Sequence, residues 1–262
     1  MQQSMYSALF GALTNEHRMN NIANNLANVN TTGYKRDVLA FQDTFWKFAH
    51  DMVMEPLANV RSEKLFPEPQ HMARVRIATA KTDFTQGSMK FTGNPLDVAL
   101  AGDGFFKINS GGEELFTRSG HFVLNNEGML VTPNGYPVLG AGGAEITIPA
   151  GTSTINIGMD GTVYADEELV GQLQVSTVDD LTALEKVGQN AYRLRETAGA
   201  VEQAADNFSV EQGYLEAANV EVVYEMVNMI EAQRQFEAYQ KVMQATDSMD
   251  KEAISKIGKG RV

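Results

Sequence analysis

The sequence predicts an α+β fold, with long N- and C-terminal helices pairing as a coiled coil and an antiparallel β-rich domain inserted between them. Three observations predict it. Apolar residues recur at helical spacing at both ends of the chain. The middle reads in short alternating or apolar runs broken by turn signals. The two helical patterns hold the first and last elements, so the simplest topology joins the ends around the β insertion. The expected division is residues 1–36 and 215–262 as a terminal helical domain, 37–79 as an extended connector and 80–214 as a β-rich outer domain.

The N-terminal helix is expected from about Gln3 to Val29, some 40 Å at 1.5 Å per residue. Met5, Ala12, Met19 and Leu26 repeat every seven residues, with Ala8, Ile22 and Val29 at the intervening positions and Asn15 interrupting them. Asn is a poor helix former because its amide competes for backbone hydrogen bonds, yet six Asn fall between Asn20 and Asn30. Asn20, Asn21, Asn24, Asn25 and Asn28 share an arc of about 140°, opposite an apolar arc holding Met19, Ile22 and Leu26. That division favours a two-faced helix over a loop. It should end near Asn30 to Gly33, where Asn and Gly tolerate the left-handed conformation of a C-cap.

The C-terminal helix is expected from about Leu215 to Ile257, some 60 Å long. Val222, Met229, Phe236 and Met243 repeat every seven residues, and Val223, Met226, Ile230 and Tyr239 widen the stripe. Such a face ordinarily packs inside a bundle. Here it is too wide and its residues too large for one helix pair, which argues for contacts with further subunits.

Between the helices, "GFFKI", "EITIPA", "GTVYA" and "VGQLQV" read as strands, and Asn134–Gly135 and Asp160–Gly161 as hairpin turns. The segment 46–73 contains Pro56, Pro67 and Pro69 without a sustained period, which fits a connector.

Composition narrows the function classes. In 262 residues, 43% hydrophobic content supplies a core, and a net charge of −12 opposes a generic nucleic-acid or anionic-membrane surface. Without Cys there is no disulfide, thiolate nucleophile or Cys-ligated metal. The first base is Arg18, so a cleaved secretory signal is not expected, and no apolar run reaches the roughly 20 residues of a membrane span. His17, His50, His71 and His121 are scattered, without the HExxH spacing of a zinc site. "GAGGAE" lacks the third Gly of a dinucleotide loop, and "GTSTI" lacks the second Gly of a nucleophile elbow. The adjacent carboxylates Asp166, Glu167 and Glu168 read as a solvated turn, because neighbouring strand residues point to opposite faces. The expectation is a protein that is not an enzyme and carries no metal or cofactor.

The block "ANNLANVNTTGYKR" closely resembles the N-terminal signature of bacterial flagellar rod and hook proteins. "TGNPLDVALAGDGFFKI", "FTRSGHFVLNNEGMLVTPNGYPVLG" and "GYLEAANVEVVYEMVNMIEAQRQFEAYQKVMQATD" resemble its central and C-terminal blocks, in the same order and over most of the chain. The resemblance implies a structural subunit of the basal-body rod. Its terminal helices would form an inner core and its β-rich domain would lie outside, in a shaft that transmits torque and lines the export channel. It further implies copies of itself, other rod proteins and the flagellar type III export apparatus as partners, without nucleic acid or membrane insertion. Within the family, "TGNPLDVAL" followed by "GDGFF" is most similar to proximal-rod members, with distal-rod members the alternative.

Carried onto this chain, the resemblance implies an assembly interface of Met5, Leu9, Ala12, Met19, Ile22, Leu26 and Val29 on the first helix. On the last helix it implies Val222, Met226, Met229, Ile230, Phe236, Tyr239 and Met243. Ile22, Leu26 and Val29 would face the C-terminal helix, and Asn21, Asn24, Asn25 and Asn28 would lie toward neighbours or the wet channel. The bland alternative is that these amides merely solvate the outside of the helix pair. The competing function is an extracytoplasmic enzyme or carbohydrate-binding β domain that uses the helices to oligomerise. That would require a concave site with convergent polar or aromatic groups.

Overall fold

The computed structural model describes residues 2–47, 71–188, 190–195 and 199–259. The architecture is α+β, with two long helices and a large antiparallel β region. Two compact units divide the chain: Met1–Ala23, Val38–Lys81 and Met226–Val262 form one, and Asn24–Asp37 with Thr82–Glu225 the other.

The first unit is built on helix α1 (Gln2–Ala27) and helix α2 (Val222–Lys259). They meet through small residues. Asn15 Nδ2 donates to the carbonyl of Ala232 at 2.5 Å, and Gly11 lies against the ring of Tyr239, so closely that a Cβ there would sit 2.5 Å from Cε1. The two contacts run in opposite senses along the helices, so α1 and α2 are antiparallel where they touch. Ala8, Ala12, Asn15 and Ile22 are buried on α1, at the three-four spacing of a seam, and Ala232 and Thr246 are buried on α2. Strands Asp37–Lys47 and His71–Thr82 pair as a ribbon within the stretch expected as connector. The central part of that stretch, including Pro56, Pro67 and Pro69, lies outside the described residues.

The second unit centres on a six-stranded antiparallel sheet. Its order is Leu184–Val187, Ala191–Leu194, Glu113–Thr117, Phe105–Ser110, Val175–Val178 and Glu202–Ala204. Both faces are covered, which explains why "GFFKI" is continuously apolar. Consecutive side chains point to opposite faces, and both faces need apolar groups. Phe106 joins the core of Val98, Leu100, Phe122 and Val138, while Phe105 joins Phe116, Val178, Leu184 and Tyr192. Phe106 and Phe122 pack edge to face at 5.4 Å. The expected hairpin turns are present: Gly135 N–H donates to Thr132 O, and Gly161 N–H to Gly158 O. A smaller sheet of Glu168–Gln172, Thr162–Ala165 and Ile155–Ile157 completes the unit with three strand pairs.

One boundary differs from expectation. The C-terminal helix begins at Val222 rather than near Leu215, because Tyr214–Glu216 pairs as a strand with Met89–Phe91 and Glu216 is committed to a buried ion pair. A residue cannot serve that strand ladder and a helical turn together.

Candidate functional site

Two features stand out: a face of large apolar residues left exposed on the helices, and a buried polar clasp where both chain arms enter the β unit.

The exposed face inverts the usual helix pattern. Small residues fill the seam of the first unit, while Met5, Leu9 and Leu13 on α1 remain exposed, Met5 at 48%. On α2 the exposed residues include Val223, Met226, Val227 and Ile230, the last two at about half their full area. At 100° per residue these four α2 positions lie on the side opposite buried Ala232. Ile230 and Met226 therefore do not line the α1 seam. Met229, Phe236, Tyr239 and Met243 are half-buried along the seam side, as Met19 is on α1. Val222, expected in the same repeat, is exposed.

Within the asparagine stretch, Asn24 stays exposed and Asn28 half-buried, while Asn25 turns inward. Asn25 is 2% exposed. Its Nδ2 donates to the carbonyl of Asp37 at 3.0 Å, and its Oδ1 accepts from the Asp37 N–H at 3.0 Å and the Tyr34 hydroxyl at 3.1 Å. Asn24 Oδ1 accepts from Tyr34 at 3.3 Å and from Asn28 Nδ2 at 2.8 Å, and Thr31 donates to Asn28 Oδ1 at 3.2 Å. These amides fold the end of α1 back on itself. Their shortness and twofold hydrogen-bonding capacity suit a loop that carries many unpaired backbone groups. Leu26 and Val29 are half-buried in the same turn. Gly33 is required there: φ is +68°, its N–H donates to Glu216 O at 2.8 Å, and a Cβ would stand 2.4 Å from the Ser119 nitrogen.

Beyond Gly33 lies the clasp. Lys35 and Glu216 have side chains 1% and 0% exposed and meet at 2.6 Å. Lys35 Nζ also donates to Thr85 O at 2.7 Å, and Glu216 Oε1 accepts from the Gly87 N–H at 2.8 Å. Arg118 Nη1 stands 3.6 Å from the second Glu216 oxygen, its Nη2 donates to Gly102 O at 2.7 Å, and its guanidinium lies over the Phe105 ring. Asn219 accepts from the Arg36 N–H and donates to Asp83 O, each at 2.8 Å. Lys186 donates to Asp37 at 2.8 Å and sits 4.3 Å over the Tyr34 ring. Segment 33–37 is thus pinned to segments 83–88 and 216–219.

Burial sets the electrostatics. It pulls the Lys35 ammonium below its ordinary pKa against the pull of Glu216, and lowers Arg118 in the same way. Tyr34 is pushed up to about 12 by burial, with the Asp37 charge adding to it. At Asp83 burial alone would raise the pKa, but hydrogen bonds from Thr85 and Arg36 hold it below the usual carboxylate range. Lys35, Glu216 and Arg118 are closed to solvent, with Glu216 Oε2 and Arg118 Nε making no hydrogen bond among the described residues, and the ion pairs around them fix the geometry of the arms. Among the described residues no group of three or more His, Cys, Asp or Glu is arranged to hold a metal ion. No described helix is long and apolar enough to cross a membrane.

Sequence reasoning missed the clasp, since its side chains come from five separated stretches: 34–37, 83–87, Arg118, Lys186 and 216–219.

Comparison with known proteins is consistent across the chain. Residues 5–35 match a model described as "Flagella basal body rod protein". Residues 99–165 match the "Flagellar hook protein FlgE/F/G D1 domain", and residues 211–256 the "Flagellar basal body rod FlgEFG protein C-terminal". The flagellar basal-body rod protein FlgF of Caulobacter vibrioides is 34% identical over 259 residues, 99% of each chain. FlgG of Bacillus subtilis is 32% identical over 97% of this chain and 99% of its own. FlgG of Agrobacterium fabrum is 35% identical over 87% of this chain and 89% of its own.

Proposed function

Given that the chain belongs to the FlgF/FlgG family of flagellar basal-body rod proteins and is a structural subunit of the rod, we propose that it joins the rod through the outward faces of its two terminal helices. The carrying observation is the inverted pattern: small residues spent on the α1–α2 seam, large apolar residues held outward. Exposed apolar faces of that extent are stabilised by association with neighbours of like chemistry, here copies of the chain and other rod proteins.

In this reading the antiparallel contact at Asn15 and Ala232 extends along the helices as a coiled coil. A buried Asn sets its register. Met5, Leu9, Met226 and Ile230 face adjoining subunits, while the clasp pins segment 33–37 within the β unit. Helices gain most of their stability from packing, so α1 and α2 would complete their order in the growing rod, after passage through the type III export apparatus. The torque-bearing, channel-lining shaft follows from that stacking. The TGNPLDVAL and GDGFF blocks favour the FlgF type in the proximal rod, with the FlgG type of the distal rod as the alternative.

The test is Ile230→Asp. Because Ile230 is outward-facing, the charge should leave the isolated chain folded, with an unchanged β-unit amide spectrum, and abolish incorporation and swimming. Normal motility with normal rod length refutes the interface. Position is tested by expressing the chain in hosts lacking FlgF or FlgG: rescue of the FlgF-deficient host supports the proximal position, and rescue confined to the FlgG-deficient host overturns it.

A further inference from the structure

We infer that the β unit carries a binding site for an uncharged, polyhydroxylated ligand of the saccharide class, in a cavity of about 490 Å³ beside the Asn134–Gly135 hairpin. That volume falls within the range of about 300–1,000 Å³ typical of small-molecule sites. Its chemistry is unusual for a chain of net charge −12: no Asp, Glu, Lys or Arg lines it.

Hydroxyls and carboxamides line it instead. The side chains of Ser110, Ser119, Asn134 and Tyr136 make no hydrogen bond to another described residue, so each keeps donors and acceptors for a ligand. Asn190 is built more expensively. Its Nδ2 donates to Thr32 O at 2.9 Å, while its Oδ1 is buried without a partner among the described residues. A buried orphan acceptor destabilises the free protein, and a hydroxyl donor brought by a ligand removes that penalty.

His121 is oriented as well. Its Nδ1 lies 2.6 Å from Oδ1 of Asp97, whose carboxylate is held in turn by Thr92 at 2.7 Å and Asn94 at 3.2 Å. With Nδ1 engaged by Asp97, Nε2 is the ring nitrogen left for a ligand. Ile108, Leu115 and Val187 supply an apolar part of the lining, and Tyr136 an aromatic ring. A sugar ring presents hydroxyls at its rim and C–H groups on its faces, which this mixture matches. A charged ligand would lose its hydration here without gaining a counter-charge.

The experiment titrates the full-length chain, labelled with nitrogen-15, with neutral glucose, N-acetylglucosamine, maltose and cellobiose. Glucuronate and glucosamine serve as charged counterparts. The expected result is a saturable shift of the Ser119, His121 and Tyr136 amides by at least one neutral sugar, half-complete at about 1 mM, the weak end of specific binding. Tyr136→Ala and Ser110→Ala should each weaken it at least tenfold with the rest of the spectrum unchanged; Ser110→Ala carries the comparison if the tyrosine variant perturbs the fold. Silence from all four neutral sugars at about 10 mM, ten times that Kd, overturns the site. So do an equal response to the charged sugars and shifts that both variants leave intact.

Discussion

The helix unit and the β unit solve the same problem, holding distant segments together, with opposite chemistry. In the helix unit, α1 and α2 approach through Gly11, Ala12 and Ala232, and the large apolar residues stay outside. In the β unit the core is apolar on both faces of the main sheet, and the entering arms are locked by buried charge, Lys35 against Glu216. Apolar burial is non-directional and can be completed by any neighbour of the right shape. A buried ion pair is directional, and removing one partner leaves the other stranded. On the proposed reading, the unit that accepts neighbours keeps its apolar surface available, and the unit that holds its shape uses polar groups for uniqueness.

The largest expected effect comes from breaking the clasp. Lys35→Met leaves buried Glu216 only the more distant Arg118, at 3.6 Å, as a counter-charge and should cost about 3–5 kcal/mol in urea denaturation, with Lys35→Met/Glu216→Leu recovering most of it. A loss below about 1 kcal/mol, the scale of an exposed pair, would show that the pair does not hold the arms. Next is the seam. Gly11→Val pushes a branched side chain into the Tyr239 ring and should cost about 1–3 kcal/mol of overpacking, confined to the helix unit. Hydrogen exchange should then rise for residues 8–22 and 229–246 and stay constant for 98–178. Equal change in both would mean the units do not respond separately.

Alkaline pH tests the clasp without mutation. Because the folded chain raises Tyr34 from 10 to about 12, its contribution is fully present below pH 10 and is lost as the pH rises toward 12. Denaturation midpoints should fall across that window, and Tyr34→Phe should flatten part of the fall; an identical slope in the variant would remove Tyr34 from the account. The smallest effect concerns a turn outside both features. Asp166 and Glu167 hold φ of +48° and +74° between two strands. Asp166 is anchored by the Ser153 and Thr154 N–H groups, so only Glu167 is free to be relieved. Glu167→Gly should stabilise the chain by up to about 1 kcal/mol, measured as a raised thermal midpoint, since Gly adopts that region without a Cβ penalty. An unchanged or lowered midpoint would mean that the turn carries no recoverable strain.

Much of the architecture was legible in the sequence. The two helices, the antiparallel middle and the Asn134–Gly135 and Asp160–Gly161 turns followed from spacing, because period and turn chemistry are local properties. The seven-residue repeat on α1 picked out Ala8, Ala12 and Ile22, all buried. It did not foresee that Asn15 would join them as a donor to Ala232. On α2 the stripe covers two sides of the helix: Met229, Phe236 and Met243 are half-buried on the side of Ala232, and Ile230 and Met226 are exposed on the opposite side. A one-dimensional stripe cannot separate residues buried within the chain from residues kept for other chains, since both are apolar.

What the sequence determined by itself was therefore the type and order of its elements, and through its signature blocks the family. Tertiary structure alone decided the fate of individual polar residues. Asn25 became an internal latch rather than a surface amide, and Glu216 ended a strand instead of starting a helix. The physical reason is that helix period and turn preference act over a few neighbours, whereas the Lys35–Glu216 pair joins positions 181 residues apart. The burial that makes such a pair decisive exists only once both segments are in place.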